Sequence, residues 1–216
     1  MDGALDFHVK HAEHPTCVVS FASMGESGIP GGVPRFEWCA TLDAIGCGQV
    51  RLRDPAWNWY RAGVAGIRGV PALADFINSL HARYDRVVTL GLSMGGYGAL
   101  LYGMLAPVDL IIALSPQTNL DPDGEDERWR EHWQIAKRCR LPWQDLQSIG
   151  CVDRVEEGIH IFVGLGGLER HALMDLQYGH RIERAKIVGL HGVAHADVGR
   201  ALRDDGTIEA LIRGKA

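Results

Sequence analysis

The stretch "RVVTLGLSMGGYGALLYGMLA", residues 86–106, decides how the rest of the chain is read. Residues 86–92 form a short apolar, β-branched run, the pattern of a strand buried on both faces. From Met94 the apolar residues continue at helical length. At the junction, Gly91, Ser93 and Gly95 satisfy G-x-S-x-G. With 27 glycines and 7 serines in 216 residues, a shuffled chain would show that pattern about one time in ten, so the flanking structure has to carry the argument. A serine on a sharp strand-to-helix turn sits in a strained backbone conformation, with its side chain raised above the sheet. Side chains two residues to either side would collide with neighbouring backbone, which accounts for Gly91 and Gly95. Gly96 and Gly98 each cost about 1 kcal/mol relative to alanine in a helix, so their use implies a helix pressed closely on the sheet. The turn lacks the lysine of a P-loop and the G-x-G-x-x-G spacing of a dinucleotide site.

Outward from this junction, short apolar runs alternate with longer helical patterns. Strands are expected at 17–23, 49–54, 86–92, 109–115, 158–164 and 185–190, with a further one around Leu5 to Lys10. Helices are expected at 34–46, 70–84, 94–106 and 172–183, and one or two more close the chain. Pro71 suits the first turn of the second of these, where Leu73, Phe76, Ile77 and Leu80 share a face. Apolar strands separated by helical crossovers imply an α/β fold, a mostly parallel sheet of about six strands flanked by helices. One segment, 117–151, breaks the alternation with an acidic, turn-rich opening and a Trp-bearing helical piece. It reads either as a lid over a site or as an amphipathic helix packed inward through Trp129 and Trp133.

A chain of 216 residues suits one sizeable core, so a single domain over 1–216 is expected, with 117–151 as its insertion. The composition, 46% hydrophobic and 23% charged, is ordinary for a globular protein. A net charge of −5 without a basic stripe argues against nucleic acid as a partner. No apolar run approaches the ~20 residues that span a bilayer, and the N-terminal residues do not read as a secretory signal. Five cysteines form no C-x-x-C pair, which points to a reduced, cytoplasmic setting. His8, His11 and His14 have ligand-like spacing but read as a solvated terminal segment, and no metal is expected. The sequence leaves the oligomeric state open.

The segment "GLSMGGYGAL" (91–100) resembles the nucleophile elbow of serine esterases in the α/β-hydrolase superfamily, and the element order is similar over roughly residues 16–213. A further similarity, to small bacterial hydrolases, rests on "FEW" (36–38), "RDP…WY" (53–60) and "SPQ" (115–117). The resemblance implies a triad in the chain order Ser, acid, His, with Ser93 as nucleophile and no cofactor. A serine hydroxyl needs a base to take its proton, and the base should follow the last strand. His195 closes a short loop there, while His191 stands at the strand end; H-x-x-x-H without the glutamate of H-E-x-x-H does not make a zinc site.

The acid is expected after the strand 158–164, but that position holds Leu165, Gly166 and Gly167. Glu169 has the better place in the loop and Asp175 the more usual residue type; Asp121 and Asp123 follow the preceding strand. The oxyanion would take the Met94 N–H and a second donor near Ser23 or Met24. Trp57, Trp59 and Tyr60 either line an acyl pocket or belong to the core. The implied activity is hydrolysis of a small-molecule carboxylic ester or thioester. Acyl transfer through the same residues, a non-catalytic binding module and a metal-dependent hydrolase are the alternatives.

Overall fold

The computed structural model describes residues 7–24, 35–64, 66–116, 118, 146, 155–166, 180 and 182–215. In chain order these form β1 (Phe7–Lys10), β2 (Thr16–Phe21), α1 (Cys39–Ile45), β3 (Gly48–Leu52), a small hairpin of β4 (Gly63–Val64) and β5 (Ile67–Arg68), and α2 (Val70–Ser79). There follow β6 (Arg86–Leu92), α3 (Met94–Leu105), β7 (Leu110–Leu114), β8 (Gly158–Gly166), β9 (Ala185–Ala194), α4 (Val198–Asp204) and α5 (Thr207–Ile212).

Seven strands make one sheet in the order β1-β3-β2-β6-β7-β8-β9. Only β1, paired to β3, runs antiparallel; all other neighbours are parallel. Every residue of β2 and β7 is buried, which is why β7 reads as an unbroken apolar run and β2 as one broken only by small hydroxyl residues. Successive residues serve opposite faces. Val19 and Phe21 join a core with Leu73, Ile77 and Leu100 of α2 and α3, while Val18 packs with Leu42, Leu202 and Ile208 of α1, α4 and α5. The central helix α3 buries every residue from Met94 to Met104.

The parallel register brings the carboxyl ends of the strands to one edge: Phe21 pairs with Gly91, Leu92 with Leu114, Leu114 with Phe162 and Gly166 with Ala194. At the opposite edge Arg86 donates two hydrogen bonds of 2.5 Å to the Glu157 carboxylate and two more to the carbonyls of Ile212 and Leu211, at 2.5 and 3.0 Å. That edge is fastened to the end of the last helix.

The expected mostly parallel sheet flanked by helices is what forms, with seven strands because the N-terminal one is present. Two boundaries differ. The helix expected from residue 34 starts at Cys39, because Trp38 adopts a left-handed conformation (φ 65°, ψ 4°). The last strand continues beyond Leu190 to Ala194. The expected helix at 172–183 falls mostly outside the described residues. So does the 117–151 insertion, of which Thr118 and Leu146 are described, both buried, with Leu146 in the core beneath α3.

Candidate active site

Ser93 occupies the one residue between β6 and α3, with φ 56° and ψ −117°, a combination that side-chain-bearing residues rarely adopt. It is pinned on both sides. Its N–H donates to the Leu114 carbonyl at 2.8 Å, and its carbonyl accepts the Tyr97 N–H at 3.0 Å. The glycines around it do what steric reasoning requires. A Cβ on Gly91 would stand 2.1 Å from the Gly95 carbonyl oxygen, and one on Gly95 would stand 2.1 Å from the Phe21 carbonyl oxygen. Gly98 faces the rings of Phe21 and Tyr60, and Gly96 faces Pro116. Ser93 itself stays half-exposed at the carboxyl edge of the sheet, while Tyr97 is fully buried. Met94, also buried, opens α3, so its amide belongs to the first turn of a helix, where amides lack intrahelical acceptors.

His195 begins a 3-10 turn, His195–Asp197, directly at the end of β9 and on the same edge as Ser93. It is half-buried, whereas His191 is exposed within the strand rather than at its end. Strands β7 and β8 stand between the two candidates. At the carboxyl end of the sheet, glycines let β8 and β9 pack closely. A Cβ on Gly164 would stand 2.7 Å from the Val193 carbonyl oxygen, and one on Gly166 would stand 2.6 Å from the Gly192 carbonyl carbon. With no side chains there, the backbones of β8 and β9 lie close together at a register shift between Gly164 and Gly166. Gly166, within the expected acid position, is in close contact with the backbone of β9. Glu169, Asp175, Asp121 and Asp123 lie outside the described residues.

The turn after β2 carries two features that sequence reasoning missed. Glu37 turns its carboxylate onto Ser23 and accepts both its N–H, at 3.0 Å, and its hydroxyl, in a short bond. The Ser23 amide, one of the two expected for the oxyanion, is thereby engaged by Glu37; Met24 carries the next amide in that turn. Burial raises the Glu37 carboxyl above its ordinary range, and the two bonds from Ser23 draw it partly back. The second feature is Asp54, buried at 3% exposure. Its carboxylate accepts the N–H groups of Ala56, Asn58 and Tyr60 at 3.1, 2.7 and 2.9 Å. These bonds hold a loop in which Trp57, Trp59 and Tyr60 all adopt positive φ (52°, 56° and 60°).

That loop braces the same turn. The Tyr60 hydroxyl donates to the Ala22 carbonyl at 2.7 Å, and the Tyr102 hydroxyl of α3 donates to the Tyr60 carbonyl at 2.5 Å. Burial pushes both phenols above their ordinary values, so both remain protonated donors. Trp57 and Trp59 are 2% and 0% exposed and sit in the core cluster. Of the two roles open to them, this burial is that of core residues. A groove of about 380 Å³ opens instead between Glu37, Trp38 and Cys39 on one side and Gly199 and Arg200 of α4 on the other. Leu92 and Ala196, the neighbours of Ser93 and His195, also line it.

The N-terminal histidines have separate partners: His11 Nδ1 is 3.0 Å from the Tyr84 hydroxyl, and His14 Nδ1 accepts the Thr16 N–H at 3.0 Å. Among the described residues no group of three or more His, Cys, Asp or Glu is placed to hold a metal ion. No helix among them is long and apolar enough to cross a membrane.

A mostly parallel, helix-covered sheet with a strained serine after its central strand and a histidine after its last is the α/β-hydrolase fold. Solved structures agree. The chain is similar to the capsule O-acetyltransferase of Neisseria meningitidis serogroup A (16% identity, 96% of this chain and 90% of that one, TM-score 0.68). It is also similar to a monoacylglycerol lipase of Paleococcus ferrophilus (13% identity, 97% and 99%, TM-score 0.56). A third similar structure is an α/β-hydrolase enzyme from a lagoon-sediment metagenome of Mar Chica, Morocco (13% identity, 100% and 97%, TM-score 0.55). No protein-family model matches the sequence, and no curated protein does.

Proposed function

We propose that the protein is a serine hydrolase that cleaves a small carboxylic ester or thioester through an acyl-enzyme on Ser93. The carrying observation is the left-handed turn at Ser93, held at the edge where His195 also emerges. Strain in a non-glycine residue persists only where the surroundings over-determine it, and such residues concentrate at active sites.

In this reading His195 takes the hydroxyl proton as the Ser93 oxygen bonds to the substrate carbonyl carbon. The negative oxygen is stabilised by the Met94 N–H and a second amide from the turn after β2. As the bond to the leaving group breaks, His195 returns the proton to that group. Water, deprotonated by His195, then releases the acid and restores the serine. Glu169 or Asp175 would orient the imidazole. No cofactor enters these steps, and the three described cysteines, Cys17, Cys39 and Cys47, are free thiols, in keeping with a cytoplasmic setting.

An alcohol in place of water would make the same enzyme an acyltransferase, the reaction named for the Neisseria structure to which the chain is similar. The test is hydrolysis of p-nitrophenyl acetate and butyrate, with and without added alcohols, alongside labelling by a fluorophosphonate. Turnover and labelling that vanish in Ser93→Ala support the reading, and ester product formed with an alcohol assigns transfer. Comparing Glu169→Gln with Asp175→Asn identifies the acid. A wild-type protein that neither turns over nor labels overturns the catalytic reading in favour of a binding module. Activity indifferent to Ser93→Ala but lost to a chelator would assign a metal-dependent reaction.

A further inference from the structure

We propose that Glu37 is a positioning residue for acyl transfer at Ser93: by gripping Ser23 through both amide and hydroxyl, it sets the turn after β2 so that the Met24 N–H becomes the second oxyanion donor. The inference rests on the Ser93 reading above. Three relationships carry it.

The turn after β2 and the first turn of α3 are in backbone contact. Gly95 abuts Phe21 and Ala22, where a Cβ would stand 2.1 Å from the Phe21 oxygen and 3.0 Å from the Ala22 carbonyl carbon. Ser23 and Met24 are the next residues of the chain after that contact, and Met94 is the residue before Gly95. Two amides from these segments can converge on one oxygen only if the peptide after Ala22 is held in one orientation. Its oxygen is fixed by the Tyr60 hydroxyl and its N–H by Glu37.

Glu37 is itself held in place. The guanidinium of Arg53 lies 4.8 Å from the centre of the Phe36 ring, and Trp38 packs into the space left by Gly199, where a Cβ would meet its ring at 2.8 Å. Gly199 belongs to α4, the helix that follows the His195 turn. The segment 36–38 thus spans from the turn after β2 to the helix behind the proposed base.

Both bonds from Ser23 end on one Glu37 oxygen. Glutamine can supply that oxygen, and alanine cannot. This sets the test: kcat and KM for p-nitrophenyl butyrate in wild type, Glu37→Ala, Glu37→Gln and Ser23→Ala, with thermal unfolding and the rate of fluorophosphonate labelling for each. Deleting an oxyanion donor costs about 10²- to 10³-fold in kcat. Misplacing one should cost less, so Glu37→Ala is expected to lose about 10- to 100-fold in kcat and labelling rate, with KM within about threefold. Glu37→Gln should recover most of that loss. Ser23→Ala, which keeps the amide and removes the hydroxyl, should fall between them, and it carries the test if Glu37→Ala does not fold.

A folded Glu37→Ala with wild-type kcat overturns the proposal. So does an equal loss in Glu37→Ala and Glu37→Gln, or a loss confined to KM. These outcomes differ from a wild type without turnover or labelling, which would overturn the Ser93 reading and this inference with it.

Discussion

Gly95 and Phe21 touch through their backbones: a Cβ on the glycine would overlap the phenylalanine carbonyl oxygen at 2.1 Å. This contact joins the helix after Ser93 to the strand that leads into the turn at Ser23.

Gly95→Ala is therefore expected to be among the most damaging single-methyl additions in the chain. The obstacle is backbone, which cannot rotate away as a side-chain tip can. Overpacking of this kind costs about 1–3 kcal/mol, occasionally more, and the upper end is expected here. Gly91→Ala meets the Gly95 carbonyl oxygen at the same distance and should behave alike. Denaturant titration measures both, and a loss under about 0.5 kcal/mol for Gly95→Ala would contradict the packing argument.

Asp54→Ala should destabilise strongly, because it strips three backbone amides of their acceptor in a loop where Trp57, Trp59 and Tyr60 all hold positive φ. A buried donor left without a partner costs about 1–3 kcal/mol, so a total near 3 kcal/mol or more is expected. Asp54→Asn keeps one acceptor oxygen and should retain part of the stability. Near-UV circular dichroism reads the tryptophans directly. An Ala variant with wild-type signal and midpoint would show that the loop stands without the carboxylate.

Arg86→Met tests the opposite edge. The guanidinium joins Glu157 to the last carbonyls of α5, and its loss should cost about 2 kcal/mol. For a chain of this size that corresponds to a fall of about 4–8 °C in Tm. Arg86 holds the Glu157 carboxyl below its ordinary range. A depressed carboxylate contributes stability above its unfolded value and loses it as the pH falls through the folded value. The deficit of Arg86→Met should therefore shrink on acidification. A deficit constant from pH 7 to pH 3 would assign the loss to the carbonyl contacts alone.

The elbow was legible in the sequence because its determinants are local: strand, serine, glycines and helix follow one another within 21 residues, 86–106. The braces around it were not: Glu37 reaches Ser23 and Tyr60 reaches Ala22 from further along the chain, while Asp54 caps its own loop with a buried side chain. "FEW" reads as the start of a helix, yet Glu37 turns back onto Ser23 and delays α1 to Cys39. "RDP…WY" offers three aromatics with strand propensity, and only the buried Asp54 makes their left-handed loop possible. "SPQ" places Pro116 against Gly96 and lets the buried Ser115, itself at φ 39°, accept the Gly164 N–H at 3.3 Å. All three quoted segments thus converge on the carboxyl edge of the sheet. The His195 turn was legible in position, but the close packing of β8 and β9 that precedes it depends on Gly164 and Gly166, and Gly166 reads in the sequence only as a missing acid.

The pH dependence of folding distinguishes Glu37 from the exposed carboxylates. Burial lifts its carboxyl above the ordinary value of 4.5, against the pull of the two bonds from Ser23. Arg200 and Arg203, which line the same groove as Glu37, are paired with Asp197 and Asp204. A raised carboxyl means that the folded state holds its proton more tightly than the unfolded chain. The associated stability is complete below the unfolded value and is lost as the pH rises through the folded one. Glu37→Gln does not titrate. Wild type and variant should therefore be close in stability near pH 4, and the variant should gain on wild type as the pH rises through and above the carboxylate range. Guanidinium unfolding at intervals from pH 4 to pH 8 measures the difference. Parallel curves would mean that Glu37 titrates as an ordinary surface carboxylate, and a variant that loses ground with rising pH would mean that its charged form is the one the fold prefers.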